Sequence, residues 1–321
     1  LLLKNLISKD KIILFFKGMA MGTADLMPGV SGGTIALILG VYKELIQSID
    51  SINLKNLKSL KKEGIKSFWT NINGEFLTVL FLGIITAILS LSFAIDWLIN
   101  EHPIPLWSFF LGLLIASIFL LKNTLKKWNV SNSLLVIFSA ILSFILTQMT
   151  PVNGEIGLFY LFISGFFGII AMILPGISGA YILLILGSYS TVISLIKSAI
   201  TSLSNLELEI MIPTITQLSV FILGIVIGLR IFASILKWLF DKQHDKTMAV
   251  LIGLMVGALH KLWPWQQKFE WSLGESNKTL SKPISPFDYQ EDPQLILAAV
   301  FFITGLYLVW ILERKKFNSP K

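Results

Sequence analysis

The chain has 321 residues, 54% of them hydrophobic and only 14% charged, with a mean hydropathy of +0.76. Soluble domains carry about 25% charge, so an ordinary water-soluble enzyme is excluded and a disordered chain is disfavoured. The absence of cysteine excludes a disulfide framework, a Cys–zinc site and a thiol nucleophile, and three histidines leave little for a metal cluster. No metal or cofactor is expected. The net charge of +7 suits either nucleic acid or a membrane protein with basic loops, and the placement of the lysines decides between them.

Along the chain, the first apolar region, 12–48, is broken in its middle by Pro and Gly. Segment 51–75 is rich in Lys and Asn and reads as a solvated loop, with an amphipathic surface helix as its ordered alternative. Clean spans follow at 76–99, 106–124 and 132–150, near the ~20 apolar residues that a membrane helix needs. A second broken region covers 157–200. Two more spans are predicted at 214–237 and 247–263. Segment 264–293 is polar, holds four Pro and reads as a long irregular loop. A last span covers 294–312.

Let each broken region be a re-entrant hairpin that returns to its own side, and let the N-terminus be cytoplasmic. Then 1–17, 43–75, 122–131, 237–246 and 314–321 lie inside and carry 20 Lys/Arg. The outer loops carry five: Lys197, Lys261, Lys268, Lys278 and Lys282. This split obeys the positive-inside rule and makes a nucleic-acid partner unnecessary. It predicts a multi-pass membrane protein with both termini cytoplasmic.

The two broken regions are copies. Residues 28–42 read PGVSGGTIALILGVY and 175–189 read PGISGAYILLILGSY, identical at 10 of 15 positions at an offset of 147. Gly18 pairs with Gly165 at that offset. At an offset of 141, Leu82-Gly83-Ile84 matches Leu223-Gly224-Ile225, Trp97 matches Trp238, and Gly112-Leu113 matches Gly253-Leu254. The first unit spans 1–150 and the second 151–321. Each is a hairpin plus three spans. Three is odd, so the second unit sits upside down. The predicted fold is an all-α polytopic membrane protein with an inverted repeat, an architecture of secondary transporters.

The motif has a physical reading. Pro28 and Pro175 stop the incoming half-helix. Gly29, Gly32 and Gly33 allow a sharp turn in copy one, as do Gly176 and Gly179 in copy two. Ser31 and Ser178 are placed to cap the outgoing half-helices, whose starts attract anions such as phosphate. Two such tips entering from opposite faces would form a polar chamber near the midplane, because irregular backbone at that depth must be covered by protein or water.

Ionisable groups are scarce in the spans. Arg230 sits mid-span, where an isolated Arg costs ~2.5 kcal/mol or more, so a functional partner is expected. Asp25 pairs with Arg230, binds a coupling cation or relays a proton. Lys261 snorkels to the outer interface or recruits an anion from outside. Trp263 and Trp265 beside it read as an interfacial aromatic belt.

A catalytic alternative exists. Gly29-x-Ser31-x-Gly33 matches the nucleophile-elbow string, with His260 as the base of an intramembrane lipid hydrolase. The motif occurs twice, however, whereas a hydrolase needs one nucleophile, and the strand–turn–helix context is missing. The other alternative is a small-anion carrier using the same chamber.

With PGVSGG–ALILGVY, PGISGAYILLILGSY, GLR at 228–230 and KLWPW at 261–265, the sequence resembles the domain-of-unknown-function-368 family of polyprenyl-phosphate (undecaprenyl phosphate) transporters. The resemblance covers nearly the whole chain. It implies return of undecaprenyl phosphate from the outer to the inner leaflet after cell-wall assembly. It implies motif positions Asp25, Pro28, Gly29, Ser31, Gly32, Gly33 and Thr34 in copy one, Pro175, Gly176, Ser178 and Gly179 in copy two, and Arg230 at GLR. Ala180 and Tyr181 replace the second glycine and the threonine in copy two, so the chamber need not be symmetric. The substrate suits the chemistry. A phosphate monoester carries about −1.5 to −2 charge and cannot cross hydrocarbon unaided, while its polyprenyl tail stays in lipid.

Overall fold

A computed structural model describes residues 8–27, 30–149, 156–205, 208–273 and 276–317. The first half holds α1 (Lys9–Asp25), α2 (Gly32–Ile38), α3 (Tyr42–Ser51), α4 (Leu54–Asn71), α5 (Gly74–Glu101), α6 (Pro103–Lys122) and α7 (Val130–Gln148). The second holds α8 (Leu158–Ile173), α9 (Gly179–Ile185), α10 (Tyr189–Asn205), α11 (Leu208–Lys242) and α12 (His244–Ala258). A 3-10 turn (Leu259–Leu262), strands β1 (Gln266–Leu273) and β2 (Ser276–Pro283), and α13 (Leu295–Phe317) complete it.

Five helices are long and apolar enough to cross a membrane: α5, α6, α7, α11 and α13. They match five of the six clean spans in the sequence. The sixth, 247–263, is the 15-residue α12 followed by the 3-10 turn. At 1.5 Å per residue α12 is about 22 Å long, short of the ~30 Å hydrocarbon core. It is largely buried, running along α7 and touching α6, so it has little need of a lipid-length apolar surface. The second broken region is bent by 106° between α9 and α10.

One loop expectation takes its ordered form, and another changes. Segment 51–75 contains α4, capped by Asn53 and kinked at Gly64 (φ 83°), with Leu54, Ile65 and Trp69 exposed along it. Segment 264–293 is not irregular throughout, because β1 and β2 form an antiparallel hairpin. Phe269, Trp271 and Leu273 alternate along β1, opposite Leu280, Lys278 and Ser276, and this period of two is a strand pattern. The fold is therefore nearly all-helical rather than all-α. Trp263 and Trp265 are tied into the chain that follows them. Their indole N–H groups donate to the Ile284 and Pro293 carbonyls at 2.8 and 2.9 Å, which pins the hairpin segment, and Trp265 is buried.

Glycines set the helix packing. A Cβ on Gly18 of α1 would lie 2.2 Å from the Leu80 carbonyl oxygen, and one on Gly83 of α5 would lie 2.2 Å from that of Phe15. The α8–α11 pair has the same contact: Gly165 against the Phe221 oxygen at 2.3 Å and Gly224 against that of Phe162 at 2.2 Å. Gly112 and Gly305 join α6 to α13, while Gly253 and Gly257 join α12 to α7. Without a hydrophobic force between helices in lipid, such close backbone approach supplies the packing. Each half thus lends a helix to the other, and the main apolar core draws on both.

Candidate functional site

The two broken regions meet. Pro28 and Gly29 lie outside the described residues, but the chain beyond them is clear. Ser31 caps α2: its Oγ accepts from Gly33 N at 3.1 Å. The same hydroxyl donates toward the Met172 and Leu174 carbonyls, at 3.1 and 3.2 Å, in the break of the other hairpin. Those carbonyls fix its rotamer, so its oxygen faces Gly33 N. Gly33 backs onto the Ile173 carbonyl, where a Cβ would lie 2.3 Å from the oxygen. Thr34 Oγ1 accepts from Gly176 N at 3.0 Å, and the Tyr42 hydroxyl donates to the Ile173 carbonyl at 3.2 Å. Ser31, Thr34 and Tyr42 are all buried. Tip one thus latches tip two through its backbone.

On the other side of the latch, Pro175 is fully buried and Gly176 has φ +85°. A Cβ on Gly176 would lie 2.7 Å from the Leu254 carbonyl oxygen. A left-handed residue that also touches backbone tolerates only glycine. Gly176→Ala is expected to cost about 1–3 kcal/mol, read as a lower thermal midpoint of the purified protein in detergent.

Asp25 holds the start of α2. Its Oδ1 accepts from Gly32 N at 2.6 Å, and a Cβ on Gly32 would collide with the carboxylate. A carboxylate on a helix-start N–H is favourable. The second tip differs. Ser178 takes the N-cap position of α9, yet its hydroxyl makes no capping bond, and it is half-buried next to the buried Gly179. Among the described residues no carbonyl orients it as Met172 and Leu174 orient Ser31. Tyr181, at the position of Thr34, turns away and donates to the Thr147 carbonyl at 2.7 Å. Lys261 Nζ lies 5.2 Å from the centre of the Tyr181 ring, so it borders the second hairpin. His260 sits on Thr147 Oγ1 and the Gly257 carbonyl, not on Ser31.

Arg230 does not pair with Asp25. Its Nη1 lies 2.5 Å from Asp50 Oδ1 and also bonds Ser234 Oγ. Ser234 Oγ donates to Asp50 Oδ1 at 2.6 Å, and Lys237 Nζ lies 2.8 Å from Asp50 Oδ2. Arg230, Ser234 and Lys237 are spaced i, i+4 and i+7, which places them on one face of α11. Asp50 comes from the end of α3, a helix that runs alongside α11 and whose other end carries Tyr42. The Arg230 cluster reaches the tips through α3, which carries Tyr42 on the latch and Asp50 on Arg230. Sequence reasoning missed Asp50, Ser234, Lys237 and Tyr42. The helical spacing of the α11 residues was a usable signal, whereas nothing local marked Asp50 as their partner.

Comparison with known proteins fits this architecture. The family model VCA0040-like, described as undecaprenyl phosphate translocase-like, matches residues 21–280. A polyprenyl-phosphate transporter of Vibrio cholerae is 40% identical over 307 residues, covering 94% of this chain and 95% of that protein. A polyprenyl-phosphate transporter of Staphylococcus aureus is 33% identical over 266 residues, covering 79% and 87%. No solved structure gives a significant match. A nearly full-length match of this kind, on a multi-pass helical chain with paired Pro/Gly breaks, decides the kinship: the chain belongs to the undecaprenyl phosphate translocase-like family.

Proposed function

We propose that the chain translocates polyprenyl phosphate, undecaprenyl phosphate in a bacterium, across the cytoplasmic membrane, from the outer to the inner leaflet. The observation that carries this reading is the near full-length similarity to two polyprenyl-phosphate transporters. The charged head must be shielded from hydrocarbon, while the polyprenyl tail can stay in lipid. The glycine contacts shared by α1–α5 and α8–α11, at the offsets 147 and 141 of the sequence repeat, support an inverted pair of units. The lysine distribution supports cytoplasmic termini.

The latch between the tips is the element that alternates in this reading. When it opens, Gly176 N loses Thr34 as its acceptor, and once Asp25 has left Gly32 N both amides face the head group, with Ser31, Gly33, Ser178 and Gly179 around them. Arg230, about 12 Å from the tips at the other end of α3, neutralises the phosphate at a separate stage of its passage, and Lys261 draws it in from outside. Asp25 takes the coupling proton or cation, since its carboxylate must leave Gly32 N for the tip to be free.

Hydrolysis is the reading from another class. It is opposed by the Ser31 hydroxyl, whose acceptors are two carbonyls, and by His260, which is engaged elsewhere. Ser31→Ala separates the two. Wild-type protein and variant are mixed with a short-chain polyprenyl phosphate. The expected result is no released inorganic phosphate from either, with transport by the variant reduced several-fold, as losing one latch hydrogen bond costs about 1 kcal/mol. Phosphate release by wild type, abolished in the variant, would establish the hydrolase instead.

A further inference from the structure

Three donors converge on one carboxylate at the end of α3. Arg230 and Ser234 hold Asp50 Oδ1, and Lys237 holds Oδ2. All three donors lie on one face of α11, and a guanidinium, an ammonium and a hydroxyl form a donor set suited to phosphate. The charges do not balance: two cations meet one carboxylate. Asp50 is buried, with 11% of its side chain exposed, while Arg230 and Lys237 are 38% and 41% exposed. The cations therefore keep an open side that Asp50 does not cover.

Depth also fits. Lys237 is five residues and Arg230 twelve residues from the end of α11 at Lys242, about 8 and 18 Å along the axis at 1.5 Å per residue. On the span 214–237 read from the sequence, Lys237 stands at the cytoplasmic end and Arg230 lies about 10 Å further in along the same face. A lipid phosphate at one leaflet lies at the level of that end.

We infer that Arg230, Ser234 and Lys237 form a phosphate-monoester site, and that Asp50 occupies it as an internal stand-in that the phosphate displaces. The inference rests on the transport reading above for the lipid source, whereas the donor chemistry is shared with free phosphate. A monoester near −2 matches two cations better than a single carboxylate does. Displacement frees Asp50, and because α3 also carries Tyr42 on the Ile173 carbonyl, binding at this site bears on the latch through one rigid helix.

The test is equilibrium binding to the full chain in nanodiscs, with a short-chain polyprenyl phosphate, the matching alcohol and inorganic phosphate as separate probes. Lys237→Gln sits on a side chain open to solvent and keeps Arg230 on Asp50, so it preserves the fold; its Kd for the lipid phosphate is expected to rise about tenfold, the loss of one charge-assisted contact. Asp50→Asn removes the competing charge at equal volume, and its Kd is expected to fall about tenfold by the same measure. Alcohol binding is expected to be unchanged in both. An unchanged Kd in Lys237→Gln overturns the site even if Asp50→Asn misfolds, and a Kd that rises in a folded Asp50→Asn overturns the stand-in role. Inorganic phosphate bound with the same response to the variants, and no preference for the lipid, supports the site while removing the lipid assignment. A wild-type chain that binds no phosphate compound overturns both.

Discussion

Replacing Gly83 with valine is expected to abolish the folded protein. The added Cβ would lie 2.2 Å from the Phe15 carbonyl oxygen, 2.9 Å from Met19 N and 3.0 Å from the Gly18 Cα. All three are backbone atoms, so no side chain can swing aside. α1 and α5 would have to separate along their contact, losing the packing that holds the first hairpin and the Lys11–Glu75 ion pair beside it. Overpacking typically costs 1–3 kcal/mol, and more where backbone opposes it, so about 3 kcal/mol or more is expected here. Gly224→Val should behave alike, since Gly224 meets the Phe162 oxygen at 2.2 Å. Gly157→Ala is the control, because a Cβ there meets nothing within 4 Å. The readout is the monodisperse fraction and thermal midpoint in detergent. A Gly83→Val protein as stable as wild type would mean that α1 and α5 do not pack through these glycines.

Arg230→Ala is expected to reduce transport by about a hundredfold while leaving the fold intact, in line with the ~3 kcal/mol of a well-placed charged contact. Asp50 retains Lys237 and Ser234, so it is not left as an unpaired buried charge. Arg230→Lys keeps the charge but not the planar fork, and an intermediate rate is expected. Initial rates and thermal midpoints measured on the same preparations separate a lost contact from a lost fold. Full transport by Arg230→Ala would remove Arg230 from the phosphate path.

The long spans were legible because an apolar stretch of helix length has one economical use in a membrane, as 76–99 and 214–237 illustrate. The breaks in the apolar regions were legible because Pro175 and Gly176 interrupt a greasy run and the pattern occurs twice. That Ser31 would cap α2 followed from its place before Gly32 and Gly33. The partners of these groups were not legible. Asp50 lies 180 residues from Arg230, beside a stretch that reads as loop, and pairing at that distance is set by tertiary packing. Asp25 was the nearer match by motif, but its carboxylate meets Gly32 N seven residues on, a local bond that wins over a remote cation. The β-hairpin was hidden by flanking prolines, which favoured a loop over the alternation of Phe269, Trp271 and Leu273.

The central claim is movement of a phosphate lipid between leaflets. The most direct measurement reconstitutes the full chain into liposomes holding a fluorescent short-chain polyprenyl phosphate and follows its transfer from the outer leaflet by a membrane-impermeant quencher. Protein-dependent transfer of the phosphate, reduced in Arg230→Ala, is the predicted result. Transfer at the rate of empty liposomes, by protein shown to be folded, would contradict it.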